Sequence, residues 1–231
     1  KKNKPNMKHK ITLSKSLLVM RCVMLLSAAS FGQLRISQVY GAGGNSGATY
    51  NRDFVEIFNP TASPITVTNY AVQYASATGS SWQVQAFSAT INPGKYFLIA
   101  LGSGANGSAL PTPDVSGGIA MAATAGKLAL TSTNTALTGV CPTGGTIVDF
   151  VGFGTTANCF EGAGPTPAPS TINSVFRAAG GCTDANSNNT DFSAAAVSPR
   201  NSASAASPCF TPPTVTTDPA TVTSSTDATL N

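Results

Sequence analysis

Histidine is nearly missing: His9 is the only one in 231 residues, and it sits in a basic stretch at the start of the chain. Downstream of that stretch no Ser-His-Asp or Cys-His centre and no His-ligated zinc site can be built. Paired-carboxylate mechanisms stay open. Charge is scarce too. Only 10% of residues are charged, against about 25% in an ordinary soluble protein. That shortage excludes a coiled coil, a helical bundle and a highly charged disordered tail. Beyond the first 32 residues no segment keeps a helical period for about ten residues, and no second apolar run reaches membrane length.

What charge there is has an uneven distribution. Seven of the thirteen basic residues are Lys1, Lys2, Lys4, Lys8, Lys10, Lys15 and Arg21. Without them six basic residues face nine acidic ones, so the formal charge of +4 becomes mildly negative. The sequence pI therefore makes no case for nucleic-acid binding. The opening residues read as export machinery. Met7 begins a basic region with Lys8, Lys10 and Lys15, and an apolar stretch runs from Leu17 to Ala29, interrupted by Arg21. Ser30 and Gly32 then supply small residues for cleavage before Gln33. The stretch is too short for a membrane anchor, and Arg21 within it would be costly in a bilayer.

Cys22 lies in that leader. Cys141, Cys159, Cys182 and Cys209 remain, and an even number in an exported chain predicts disulfides, with three connectivities open. Sequential pairing, Cys141 with Cys159 and Cys182 with Cys209, closes the shortest loops and is the expected one. A zinc site of four thiolates is the alternative, but such sites use cysteines two to four residues apart, and no such pair occurs here.

Short strand signals recur between clusters of Gly, Asn, Pro and Ser. They cover Leu34–Tyr40, Asp53–Asn59, Ile65–Thr68, Ala71–Ala75, Trp82–Phe87, Tyr96–Leu101, Lys127–Thr131 and Ile147–Phe153, with a weaker one at Ser174–Arg177. In Asp53–Asn59 the pleat points Phe54, Glu56 and Phe58 one way, and Val55 and Ile57 the other. Residues 102–118 and 162–170 read as extended connections. Pro212-Pro213 marks a linker, followed by a Thr/Val/Ser-rich stretch. The pattern predicts an all-β antiparallel sandwich or barrel. The expected organisation is a leader over 1–32, a β-sandwich over 33–160, a disulfide-bearing, loop-rich extension of the same domain over 161–210, and over 211–231 a linker with the start of an Ig- or fibronectin-like repeat.

Ile36-Ser37-Gln38-Val39-Tyr40, followed by Asp53-Phe54-Val55-Glu56-Ile57-Phe58-Asn59-Pro60, resembles the opening of the lamin-tail domain in its bacterial, exported form. Ile65–Tyr70 fits the family's short hydrophobic-x-x-aromatic element, with Tyr70 where the family often has Trp. Ile91–Ile99 is similar to its Pro-Gly hairpin, and Ile147–Gly154 to its late strand. The resemblance implies an immunoglobulin-like β-sandwich and an accessory, non-catalytic role. It also implies a structural place for Asp53, Glu56 and Asn59. The nuclear-lamina role of the animal version does not carry over to a chain with an export signal and no coiled-coil rod.

Candidate chemistry is thin. Glu56 reads first as an internal hydrogen-bond acceptor and second as a ligand or acid. Asp53 lies an odd number of positions away, on the opposite face, so the two do not form an acid/base pair. The best ligand set is Asp184, Asn186, Asn188 and Asp191, whose alternating oxygens suit weak calcium binding, with a Kd of roughly 10⁻⁴–10⁻³ M. The segment lacks the sixth-position Gly and the distal Glu of a full calcium loop, and an Asn-rich turn explains the same residues. No other cofactor is expected. Gly41–Gly47 lacks the ending of a phosphate loop and reads as a hairpin connection. Tyr74, Trp82 and Phe87 read either as core or as a sugar-stacking surface. The expected function is a non-catalytic extracellular or cell-surface accessory module of a larger secreted protein. Alternatives are the front of a secreted nuclease or phosphoesterase whose catalytic domain lies beyond Asn231, and a matrix- or carbohydrate-binding adhesin. Expected partners are a surface or matrix polymer or neighbouring domains of the same chain.

Overall fold

In a computed structural model the chain folds as two facing β-sheets. The structure describes residues 33–210, so the expected leader over 1–32 and the expected linker and repeat start over 211–231 lie outside the described residues. The strands are β1 (Arg35–Tyr40), β2 (Arg52–Phe58), β3 (Ile65–Ser76), β4 (Gln83–Ile91), β5 (Tyr96–Ser103), β6 (Val115–Ser116), β7 (Gly126–Thr131), β8 (Ile147–Phe153), β9 (Asn173–Arg177) and β10 (Phe192–Ala196). One sheet has the order β10-β9-β1-β2-β5-β6 and the other β4-β3-β7-β8. All pairings are antiparallel except β5 with β6. Helix is confined to a 3-10 turn (Ala179–Gly181) and one α-helical turn, α1 (Asn188–Asp191).

The alternation of apolar residues decides which side chains meet. Val55 and Ile57 of β2 join Val39, Ile99, Leu128, Leu130 and Val151 in the core between the sheets. Ile65–Thr68 and Ala71–Ala75 are one strand, β3, whose register with β4 slips between Val67 and Tyr70. Asn69 takes a left-handed φ of 56° there, a conformation Asn tolerates better than most residues. Tyr74, Trp82 and Phe87 are buried. They belong to the core, which removes the sugar-stacking surface the sequence left open for them. Tyr74 and Phe87 lie between the sheets, where their burial holds the sheets together at about 25 cal/mol per Å² of apolar area, whereas Trp82 packs in a separate cluster with Ala75, Ala129, Phe150 and Cys159.

The opposite face of the six-stranded sheet is covered as well. Phe54 packs with Tyr40 and Leu98, and Phe58 lies 4.9 Å from Tyr96, centroid to centroid. Tyr50, Leu110 and Ala123 cover part of it, and residues 161–210 supply the rest. Strands β9 and β10 extend the sheet beyond β1, and the segments around them lie over it. Gly181 is wedged against Phe58: its φ is 109°, and a Cβ there would come within 2.6 Å of the ring. The disulfides Cys141–Cys159 and Cys182–Cys209 have Cα separations of 5.3 and 5.4 Å. The second ties the end of the extension to the 3-10 turn.

Candidate functional site

The six basic residues after residue 32 all lie in the described part, and each is tied to acceptors inside the fold. Arg177 bridges the two sheets from β9. Its Nη2 lies 2.8 Å from both oxygens of Asp149 on β8, and its Nε donates to the Ile36 carbonyl on β1 at 2.9 Å. Asp149 in turn accepts from the Ile36 N–H at 2.6 Å. Arg35 lies 3.0 Å from Asp184 and donates to the Cys182 carbonyl. Arg200 comes back from the extension to Glu56: Nη2 to Oε1 is 2.7 Å and Nε to Oε2 is 3.1 Å. Its guanidinium also stacks 3.7 Å from the Tyr96 ring centroid. Arg52 donates to the carbonyls of Leu101 and Gly117, and Lys95 to that of Ser204. Lys127 is fully buried, holds the Gly79 and Val140 carbonyls and the Asn158 Oδ1, and its pKa is lowered by that burial.

The acids are committed in the same way. Glu56 accepts from Ser37 at 2.6 Å as well as from Arg200. Burial lifts its carboxyl above the usual range, against the pull of Arg200. Asp53 faces the inter-sheet side and accepts from the Gly43 and Met121 N–H groups, with burial pushing it up to about 6. Asn59 folds the turn after β2, donating to the Ser63 and Ile91 carbonyls and accepting from Thr61. Asp114 accepts from the Leu98 and Ser202 N–H groups. These are buried polar groups satisfied by the fold, as stability requires.

The four expected calcium ligands take different partners. Asp184 meets Arg35 and Arg177. Asp191 accepts from the Ala185 and Ser187 N–H groups and lies 3.6 Å from Arg177. Asn188 turns inward, accepting from Gly152 N–H and donating to the Phe150 carbonyl along β8. Asn186 is exposed, with a left-handed φ of 52°. The positive charge a calcium ion would bring to the two carboxylates is already supplied by two guanidinium groups. Among the described residues no three His, Cys, Asp or Glu side chains form a metal-holding group.

Glu161 differs from the other acids, and sequence reasoning passed over it. Its one hydrogen bond is a long one, 3.3 Å from Asn188 Nδ2, and it has no ion-pair partner within 4 Å among the described residues. Burial, then the charge of Asp149, push its carboxyl up to about 8. The only hint in the sequence is the excess of acids over bases, which leaves some carboxylate without a cation.

Disulfides form and persist in oxidising compartments, and no helix among the described residues is long and apolar enough to cross a membrane. Among curated proteins no sequence matches this chain. The family model described as Lamin Tail Domain matches residues 27–155, the region that supplies β1 to β8. With more than half of the chain matched and a two-sheet antiparallel sandwich built from it, the chain belongs to the lamin tail domain family.

Proposed function

We propose that this chain is a non-catalytic extracellular or cell-surface module of a larger secreted protein, with a structural or targeting role. One observation carries the reading. Beyond the leader, every basic side chain and all described acids but Glu161 serve as braces between strands, turns and the extension. Catalysis by general acid and base needs a carboxylate or amine that is placed against a substrate and free to exchange protons. Here Glu56 and Asp149 are sealed under arginines instead. The basic, apolar, small-residue pattern over 7–32 and the two disulfides support export.

Intact mass and N-terminal sequencing of the protein recovered from its native host test the reading. The expected product begins at Gln33, lacks Cys22 and carries four oxidised cysteines. A product that retains residues 7–32 and has four free thiols would contradict export.

A further inference from the structure

Between β7 and β8 the chain runs through residues 132–146 without regular structure. Connections longer than about 12 residues with no secondary structure are uncommon in compact domains and are usually functional or disordered. This one is held at several points. Gln73 donates to the Thr135 carbonyl and accepts from the Leu137 N–H. Trp82 Nε1 and Lys127 Nζ donate to the Gly139 and Val140 carbonyls. The Cys141–Cys159 disulfide fixes the far side. A loop tethered this way binds with little ordering cost.

Two adjoining clefts of about 600 and 310 Å³ open along it, sharing Cys141, Pro142 and Thr143 as a common wall. Thr135, Thr138, Thr143 and Thr146 are exposed there. Among the described residues the hydroxyls of Thr138, Thr143 and Thr146 have no hydrogen-bond partner, although the tethers around them are fully used. The smaller cleft ends at Phe160 and Glu161. Neither cleft is lined by a lysine or arginine, so an anionic ligand finds no counter-charge.

We propose that these two clefts form a binding site for a neutral carbohydrate chain. Free hydroxyls at spaced positions suit the hydroxyls of successive sugar rings, and Pro142 and Phe160 offer apolar surface for the C–H faces of a ring. Glu161 fits as an uncharged partner. Burial, the carboxylates of Asp149 on β8 and of Asp184 and Asp191 around α1, and the single opposing guanidinium of Arg177 on β9 leave it protonated at neutral pH. In that form it both donates and accepts. The inference rests on the targeting reading above and supplies its ligand class.

The test uses the full exported chain, titrated by NMR with the neutral hexasaccharides cellohexaose, maltohexaose and chitohexaose. At least one is expected to shift amides of residues 133–146 and 160–161 saturably. Thr138→Val with Thr143→Val is expected to weaken that binding about ten-fold, the loss of two hydrogen bonds. The corresponding pair of Ser substitutions retains it. Glu161→Gln, which imitates the protonated carboxyl, retains binding at neutral pH and removes its decline above pH 8. No saturable shift with any of the three sugars, or equal binding by the double Val variant, overturns the proposal and leaves the non-catalytic module reading standing. Saturable binding of butylammonium that Glu161→Gln abolishes, with no sugar response, also overturns it. Cleavage of a hexasaccharide would instead overturn the non-catalytic reading.

Discussion

Arg200 and Glu56 meet across 144 positions of sequence, and this ion pair is one of the ties that fasten the extension to the six-stranded sheet. Glu56 is wholly buried, whereas the Arg200 side chain is 26% exposed. Removing the arginine side chain leaves the carboxylate desolvated, with Ser37 and the backbone N–H of residue 200 as its remaining partners. Arg200→Ala is therefore expected to destabilise the domain by about 3 kcal/mol, the low end for breaking a buried pair. Urea unfolding checks this, and a loss under about 1 kcal/mol would mean the pair behaves as a surface contact. Two other acids control the response to pH. The folded-state values of Asp53 and Glu161 lie above their usual ones of 3.8 and 4.5, at about 6 and about 8. Each folded carboxyl thus holds a proton that the unfolded chain releases. Their contribution to stability is complete below the unfolded values and is lost as pH rises through the folded ones. Melting temperature is expected to fall between pH 4.5 and 8. Glu161→Gln should flatten the part above pH 6, while Asp53→Asn flattens the part below it. A melting temperature that rises from pH 5 to 8 in the wild type contradicts this assignment.

At the level of elements, the sheet strands are legible where short runs rich in apolar and β-branched residues stand between turn residues, as in Asp53–Asn59 and Ile147–Phe153. Both strands recovered within a residue of the expected bounds. Strand β10, Phe-Ser-Ala-Ala-Ala, carries neither β-branched residues nor alternation, so its sequence holds no strand signal. It forms because β9 offers an edge and Phe192 a buried anchor. The short β6 is likewise a product of pairing with β5 inside a connection. The acid–arginine braces were equally hidden, since Asp149 and Arg177 are 28 positions apart and Ile36 is 113 from Asp149. No local spacing marks partners that only the folded sheets bring together. The expected calcium ligands show the converse. Asp184–Asp191 has local ligand spacing, but the arginines that face its carboxylates come from β1 and β9. Residues 33–160 alone lack β9, β10, Arg177 and Arg200, uncover Phe58 and lose part of the cover over Tyr40 and Phe54. They are expected to give no cooperative melt, whereas residues 33–210 unfold in one transition. A sharp melt of the shorter piece contradicts the claim that the extension completes the fold.

For the whole molecule, the sandwich, the outer cover and the disulfides form one hydrogen-bonded unit with its charges directed inward. The loops closed by the disulfides span 18 and 27 residues. Each is expected to contribute about 3 kcal/mol by restricting the unfolded chain, so reduction should lower the melting temperature without changing the fold at room temperature. Circular dichroism with and without reductant checks this, and unchanged melting would show that packing alone holds the extension. We infer that the buried carboxylates brace the fold and perform no chemistry. It is tested by hydrolysis of phosphodiester, phosphomonoester, peptide and glycan substrates by residues 33–210, alongside the Glu56→Gln and Asp149→Asn variants. No turnover above the substrate blank is expected for any of the three proteins. Turnover by the wild type that either variant abolishes, while still folded, would contradict it.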